Sequence, residues 1–246
     1  MSGDRADRVL VARGLFVSRT AAQAAIEAGL VTADGVRVTK ASQTIAQGAQ
    51  IEATPAHPYV SRGGVKLAAA LDHFAVDPRG KVCLDVGSST GGFTEVLLLR
   101  GAHRVYAVDV GTKQLHESLA HRDDVVSLEN TDIRNLTPRD FSAPPELIAI
   151  DVSFISLKLV LPAVTALAAP HAVLIALIKP QFEAGRKAVS KGVVRDTAIH
   201  AAVCAEVATA AAGIGWKVRG MTESPIPGGD GNREFLLCAA RDAVGS

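Results

Sequence analysis

The chain is short of the residues that hold a fold together by cross-links or metal. It has three cysteines in 246 residues, Cys83, Cys204 and Cys238, far apart and without a Cys-x-x-Cys pair. That pattern argues against a disulfide framework or a zinc site, predicts no bound metal, and fits a reducing, cytoplasmic compartment. Aromatic residues make up only 4%, too few for extensive stacking on nucleic-acid bases. The net charge is +1, so no global basic field exists and any surface for a polyanion has to be local. The N-terminus, MSGDRADRVL, has no apolar core of a signal peptide. One long uncharged run, Leu159 to Ile178, is interrupted by Pro162, Pro170 and His171 and flanked by Asp151 and Lys179. It predicts a buried helix, a turn and a buried strand, with no stable membrane insertion.

What is present is ample apolar content, 48% hydrophobic against 21% charged, in a length that suits two domains of unequal size. Up to about Ala53 the pattern predicts two short helices and a hairpin. Asp4 is placed to cap a helix through Ala12, ended by Gly14, and Ser18 to cap a second through Ile26, ended by Gly29. LVTADGVRVT alternates around Asp34-Gly35, a dipeptide of tight hairpin turns, and one more strand is expected within Ser42–Glu52. Thr54-Pro55-Ala56-His57-Pro58 then stiffens the chain. Residues 54–60 are therefore a linker between domains of residues 1–53 and 61–246.

Beyond the linker, strands and helices alternate. A helix is expected over Ser61–Phe74, and strands at Val82–Val86, Val105–Val108, Val125–Leu128, Leu147–Ile150, Val173–Ile178, Trp216–Thr222 and Phe235–Ala239. Helices between them imply a mostly parallel, covered sheet. The last two strands, joined by a Pro/Gly loop, should pair antiparallel. The fold class is α/β: a Rossmann-like seven-stranded sheet of the methyltransferase kind, which simpler doubly wound sheets lacking that hairpin do not match, behind a small N-terminal α+β domain.

Three acidic strand ends mark where a ligand would sit in such a sheet. The first strand runs into Asp85-Val86-Gly87-Ser88-Ser89-Thr90-Gly91-Gly92-Phe93, whose glycines permit close backbone approach. The second ends in Asp109, placed to accept both hydroxyls of an adenosine ribose. Asp132, after the third, can read an adenine amino group. The spacing Gly87-x-x-x-Gly91-Gly92 is neither the dinucleotide fingerprint nor a phosphate loop. A nucleoside-bearing cofactor other than NAD is the reading.

Four further residues stand at unusual places: Lys66 in a polar helix start, Asp151 ending the fourth strand, Lys179 ending the fifth, and Glu234 opening the last. A lysine closing an apolar strand is costly unless paired or functional, although each residue taken singly also reads as an ion-paired surface group. Together they resemble the Lys-Asp-Lys-Glu tetrad of the FtsJ-like ribose 2′-O-methyltransferases. RVLVARGLFVSRTAAQAAIEAG, YVSRGGVKL, DVGSSTGGFTEVLL, VYAVDVG, DVSFISL, IKPQFE and GNREFLL, spread over nearly the whole chain, resemble the TlyA family of ribosomal RNA methyltransferases, some of them named haemolysins. The N-terminal part resembles the small RNA-binding S-four module. The resemblance implies S-adenosyl-L-methionine as cofactor and cytidine riboses of small- or large-subunit ribosomal RNA as acceptors. Lys179 is then the candidate base, with Lys66 a neighbouring positive charge, Asp151 orienting Lys179, and Glu234 orienting Lys66 or the ribose. Phe154 is expected against the cofactor or a flipped nucleotide.

Negative signs agree with an oxygen acceptor. Asp151-Val152-Ser153-Phe154 is not the Asp/Asn-Pro-Pro-aromatic of amino-group methyltransferases, and no cysteine is placed as a nucleophile. RNA contacts are expected from Arg5, Arg8 and Arg19, from Arg62, and from the loop with Arg186, Lys187 and Lys191. Against these stand nearly as many acidic residues, so a plain solvated surface is the competing reading. A small-molecule methyltransferase, a membrane-active haemolysin and a non-catalytic RNA-binding protein are the functional alternatives.

Overall fold

The computed structural model describes residues 3–16, 18–185, 188–190 and 192–242. The chain divides into two compact units at Ser61/Arg62.

The first unit begins with a strand, β1 (Gly3–Arg5), and two helices, α1 (Ala6–Ala12) and α2 (Arg19–Glu27). Four short strands follow: β2 (Val31–Ala33), β3 (Val36–Arg37), β4 (Thr44–Ala46) and β5 (Ile51–Ala53). Asp34 and Gly35 both take positive φ, 51° and 75°, between β2 and β3, as a two-residue turn matched to strand twist requires. Ser18 caps α2, its side chain accepting the Ala21 N–H. Asp4 does not cap α1. Residues 3–5 are strand, the helix starts after Arg5 without a side-chain cap, and Asp4 accepts only the Arg5 N–H. Pairing of β1 with β4 accounts for this, because it holds Asp4 extended opposite Ile45. The single strand expected in Ser42–Glu52 is two, β4 on β1 and β5 on β2, since the chain turns between them and changes sheet.

Ala6, Leu10, Phe16, Ala22, Ala25, Ile26 and Val31 form the core of this unit. At its edge the carboxylate of Asp7, fully buried, accepts from Arg5 (3.0 and 3.1 Å), Arg19 (3.2 and 2.7 Å) and Gln23 (2.9 Å). The Arg5 guanidinium above all holds its carboxyl well below the usual aspartate range.

The second unit runs α3 (Gly63–His73), β6 (Val82–Val86), α4 (Gly92–Leu99), β7 (Arg104–Val108), α5 (Glu117–Ala120), β8 (Val125–Leu128), β9 (Leu147–Ile150), α6 (Leu157–Leu167), β10 (Ala172–Ile178), α7 (Pro180–Glu183), α8 (Thr197–Gly213), β11 (Lys217–Glu223) and β12 (Phe235–Arg241). The strands form one sheet in the order β11-β12-β10-β9-β6-β7-β8. β12 is antiparallel to both its neighbours, and the other recorded pairings are parallel. Leu84, Ile148, Ile150, Leu161, Leu174 and Trp216 pack in the main core. The uncharged run resolves into most of α6, a turn and β10, and among the described residues no helix is long and apolar enough to cross a membrane. From β6, one branch of the sheet leads to β7 and β8 and the other to β9 and β10, so the strand order reverses between β6 and β9. That switch point opens a crevice at the carboxyl ends.

The Asp7 cluster makes a testable demand. Asp7→Ala should destabilise the first unit by about 2 kcal/mol, the scale of hydrogen bonds to a charged group. Because the folded value lies below that of the unfolded chain, the stabilisation is present above pH ~4 and lost as pH falls below it. Thermal melts of wild type and variant should converge in acid; a gap independent of pH would refute the assignment.

Candidate active site

The switch-point turn begins with Asp85, wholly buried, whose Oδ2 accepts the N–H (2.9 Å) and the hydroxyl (2.7 Å) of Thr94. Its other oxygen, Oδ1, is buried without a hydrogen-bond partner. Burial, opposed by Thr94 and reinforced by the negative charges of Asp151 and Asp109, pushes this carboxyl up to about 7. After Val86 the chain passes through Gly87 (φ 81°). A Cβ there would lie 2.3 Å from the carbonyl oxygen of Asp151, so only glycine lets the turn cross the end of β9. Ser89 (φ 45°) and Gly91 (φ 96°) complete the bend into α4.

Asp109, just past β7, accepts the Ser89 N–H at 2.8 Å and the Gly111 N–H at 2.7 Å. Two backbone donors thus fix the carboxylate at the lip of a cavity of about 350 Å³, within the range of small-molecule sites. Of the residues predicted for a cofactor, Gly87, Ser89, Asp109, Asp132 and Phe154 line this cavity. Asp85, Ser88, Thr90, Gly91, Gly92 and Phe93 do not; most are buried and build the turn behind it. The Asp132 carboxylate also caps a short 3-10 turn and accepts from the backbone and guanidinium of Arg134. Val110, Gln114 and Ile133 line the cavity unforeseen. Glu129 shapes that wall by accepting the N–H groups of Lys113, Gln114 and Leu115, which lower its carboxyl below the ordinary value, Leu115 foremost.

The four tetrad residues fall into two lysine–carboxylate pairs. Lys66 Nζ lies 2.5 Å from Glu234 Oε2, with side chains only 10% and 2% exposed. Lys179 Nζ lies 2.5 Å from Asp151 Oδ1 and donates to Ser153 Oγ at 2.9 Å. Asp151 Oδ1 accepts no aligned hydrogen bond, so its tie to Lys179 is a charge contact. Register explains the gathering. Ile178 of β10 faces Phe235 of β12, so Lys179 and Glu234 stand one step past the same end of that ladder. Ala176 of β10 faces Ile150 of β9, so Asp151 stands level with Leu177, at the same end of the sheet and two residues short of Lys179. Lys66 reaches Glu234 from the first turns of α3.

Ser153, Glu183 and Gly228 were not foreseen. Ser153 is a direct partner of Lys179. A Cβ on Gly228 would fall 2.0 Å from Glu234 Oε1, so this glycine leaves the space that the carboxylate fills. Phe154 is 91% exposed with φ 65°, its ring 4.9 Å from that of Phe182. A large apolar residue held in left-handed backbone at a cavity mouth is strain of the kind found at functional sites. Cys83 and Cys238 are buried, and burial raises the Cys83 thiol to about 12, so neither is a nucleophile. Arg5 and Arg19 are tied to Asp7, Arg8 and Arg62 are exposed, and Arg186, Lys187 and Lys191 lie outside the described residues.

A seven-stranded sheet with one inserted antiparallel strand, carrying a nucleoside-sized cavity at its switch point, defines the class of S-adenosylmethionine-dependent methyltransferases. Residues 59–241 match the FtsJ-like methyltransferase family and residues 4–51 the S4 domain. The chain is 44% identical to the Mycobacterium tuberculosis 16S/23S rRNA (cytidine-2'-O)-methyltransferase TlyA, over 95% of this chain and 88% of that one. It is 39% identical to Hemolysin A of Brachyspira hyodysenteriae, over 94% and 98%. A hemolysin-named structure from Streptococcus thermophilus superposes with a TM-score of 0.79 at 42% identity, covering 98% of this chain and 90% of that one. The chain belongs to the FtsJ-like methyltransferase family and carries an S4 domain ahead of the methyltransferase region.

Asp85 supplies a test independent of turnover. Its raised value means that the folded state holds the proton more tightly than the unfolded one, so stability declines as pH rises from about 4 to about 7. Asp85→Asn should abolish that slope and melt several degrees higher than wild type at pH 8, while matching it near pH 4. Parallel melting curves across this range would contradict a protonated, buried carboxyl.

Proposed function

We propose that the protein transfers a methyl group from S-adenosylmethionine to a ribose 2′-hydroxyl, of cytidine by likeness to its relatives, in ribosomal RNA. The observation that carries this reading is the meeting of Lys66–Glu234 and Lys179–Asp151 at one end of the sheet, with Asp151 also lining the cofactor cavity. The cavity fits the cofactor. Its Gly87 turn admits close backbone approach, Asp109 is fixed to hold ribose hydroxyls, and Asp85 leaves a buried oxygen unsatisfied behind the same turn. When bound, S-adenosylmethionine supplies an electrophilic methyl on a sulfonium, so the chain contributes orientation and proton transfer.

Lys179 would take the proton from the 2′-hydroxyl, the oxygen that accepts the methyl group bound S-adenosylmethionine would supply. An ordinary lysine is charged at neutral pH, so Lys179 must first shed a proton. That proton passes to water, while Asp151, at 2.5 Å, orients the amine. Ser153 holds the amine from another direction through a hydrogen bond of 2.9 Å. Lys66, neutralised by Glu234, places a donor beside the acceptor ribose without adding net charge to a buried site. The S4 domain supports RNA as the substrate, with Arg8 and the outer faces of Arg5 and Arg19 for phosphate contacts and Arg62 at the start of α3. Arg186, Lys187 and Lys191 complete that proposed set.

Tritium from labelled S-adenosylmethionine should enter ribosomal RNA and map to a ribose by nuclease digestion and mass spectrometry. Lys179→Ala should lower kcat by about 100-fold or more, the scale of general-base loss, with cofactor affinity kept. Label on a base, or full turnover by the variant, would overturn the chemistry.

A further inference from the structure

The loop that carries two of the groups around Lys179 is tied down at its far end by a carboxylate outside the tetrad. Residues 151–156 leave β9 irregularly and enter α6 at Leu157. At their start, Asp151 and Ser153 meet Lys179. At their end, Ser156 Oγ–H donates to Glu183 Oε2 at 2.6 Å and the Leu157 N–H donates to Glu183 Oε1 at 2.7 Å. Glu183 closes α7, the single turn that follows Lys179 directly. Between the two ties the rings of Phe154 and Phe182 meet, and Phe154 is held at φ 65°.

The loop is thus strapped along residues 179–183 at both ends. Ser156 by itself caps α6, accepting the Lys158 N–H at 3.2 Å. The carboxylate of Glu183 adds the Leu157 N–H, so the free donors at the start of α6 meet an anion supplied by another element. A helix cap of this kind needs no particular partner segment. This one comes from the turn that begins with the candidate base, and so fixes the distance between the two chain segments whose side chains meet at Lys179.

We infer that Glu183 is a positioning residue for methyl transfer: its carboxylate holds the 151–156 loop in register with Lys179, so that Asp151 and Ser153 orient the amine. This rests on the reading of Lys179 as the base. Without the strap, the loop loses its hold at Ser156 and Leu157, and the left-handed backbone at Phe154 is free to relax. A loss of register of about 1 Å at reacting groups lowers turnover by about 100-fold in unfavourable cases.

The test measures steady-state methylation of ribosomal RNA, the pH dependence of kcat, and thermal melting for Glu183→Ala, Glu183→Gln, Lys179→Ala and Asp196→Ala. Asp196 caps α8 by accepting the Ala198 N–H and so reports the effect of losing a helix cap alone. Glu183→Ala should lower kcat about 10- to 100-fold, with KM for RNA changed less than about 3-fold, and should move the acid limb of the kcat–pH profile. Glu183→Gln keeps one acceptor oxygen, for Leu157, and should recover most of the rate with the acid limb displaced less than in the alanine variant; should the alanine variant fail to fold, this variant carries the test, and a wild-type limb would overturn the inference. Variants at Glu183 that melt lower, as Asp196→Ala does, but keep the wild-type kcat and pH profile would overturn the inference. Full turnover by Lys179→Ala would overturn the base assignment beneath it. An inactive Lys179→Ala beside a fully active Glu183→Ala would reject the strap alone.

Discussion

Lys66 and Glu234 are 168 residues apart in sequence, yet their charged atoms approach to 2.5 Å in surroundings almost closed to water. Removing two charges from water costs several kcal/mol per ion before their attraction is counted, so the pair persists only where the fold leaves neither partner an alternative. It joins the first helix of the catalytic unit to its last strand. It also depends on the direction of that strand. Glu234 lies at the start of β12, and only an antiparallel β12 brings its start to the end of the sheet where the parallel strands finish. The terminal hairpin, which has no part in holding a nucleoside, is therefore what delivers the fourth tetrad residue. Gly228 completes the arrangement from the other side, because any side chain there would displace the carboxylate.

The acidic strand ends show how one residue type takes separate roles from its surroundings. Asp85 is buried and keeps its proton to about 7. Asp109 is met by two backbone donors and stands open to the cavity. Asp151 meets a lysine. Asp132 is held by Arg134, beside a cavity wall formed by Val110, Ile133 and Gln114. That wall is mostly apolar, so the purine would be held largely by burial of its faces and the ribose by charge. Cofactor affinity would then respond more to the shape of the Gly111–Leu115 turn, fixed by Glu129, than to a further acidic contact.

The strands of the sheet were legible because each is a short run of Val, Ile and Leu bounded by turn residues, and Val82–Val86, Val125–Leu128 and Leu147–Ile150 stand where the pattern predicts. Asp4 was misread because capping residues are recognised locally, whereas the pairing of Gly3–Arg5 with Thr44–Ala46 is a contact across some forty residues. The same non-local pairing split the strand expected after Ser42. The tetrad was visible as four residues through resemblance, but its division into two ion pairs depends on the register of β10 with β9 and β12. Ser153 and Glu183 lay inside the family-like phrases DVSFISL and IKPQFE, but nothing in the sequence marked them as site residues. A serine in a loop and a glutamate ending a short turn are ordinary in sequence, and only the fold aims them at Lys179 and at the start of α6.

On the proposed reading, the N-terminal unit would also constrain how RNA is held. With a net charge of +1 over the chain, long-range attraction is weak and contacts must form at close range. Asp7 takes up the inner donors of Arg5 and Arg19, which lowers their local charge but fixes where their outer N–H groups point. A guanidinium ordered in advance loses less side-chain entropy when it meets a phosphate, and its planar fork suits two oxygens at once. Such a surface favours a particular spacing of phosphates over mere density of negative charge. That selectivity would suit the proposed acceptor, a hydroxyl that recurs on every nucleotide of RNA and offers nothing by which one site could be told from another.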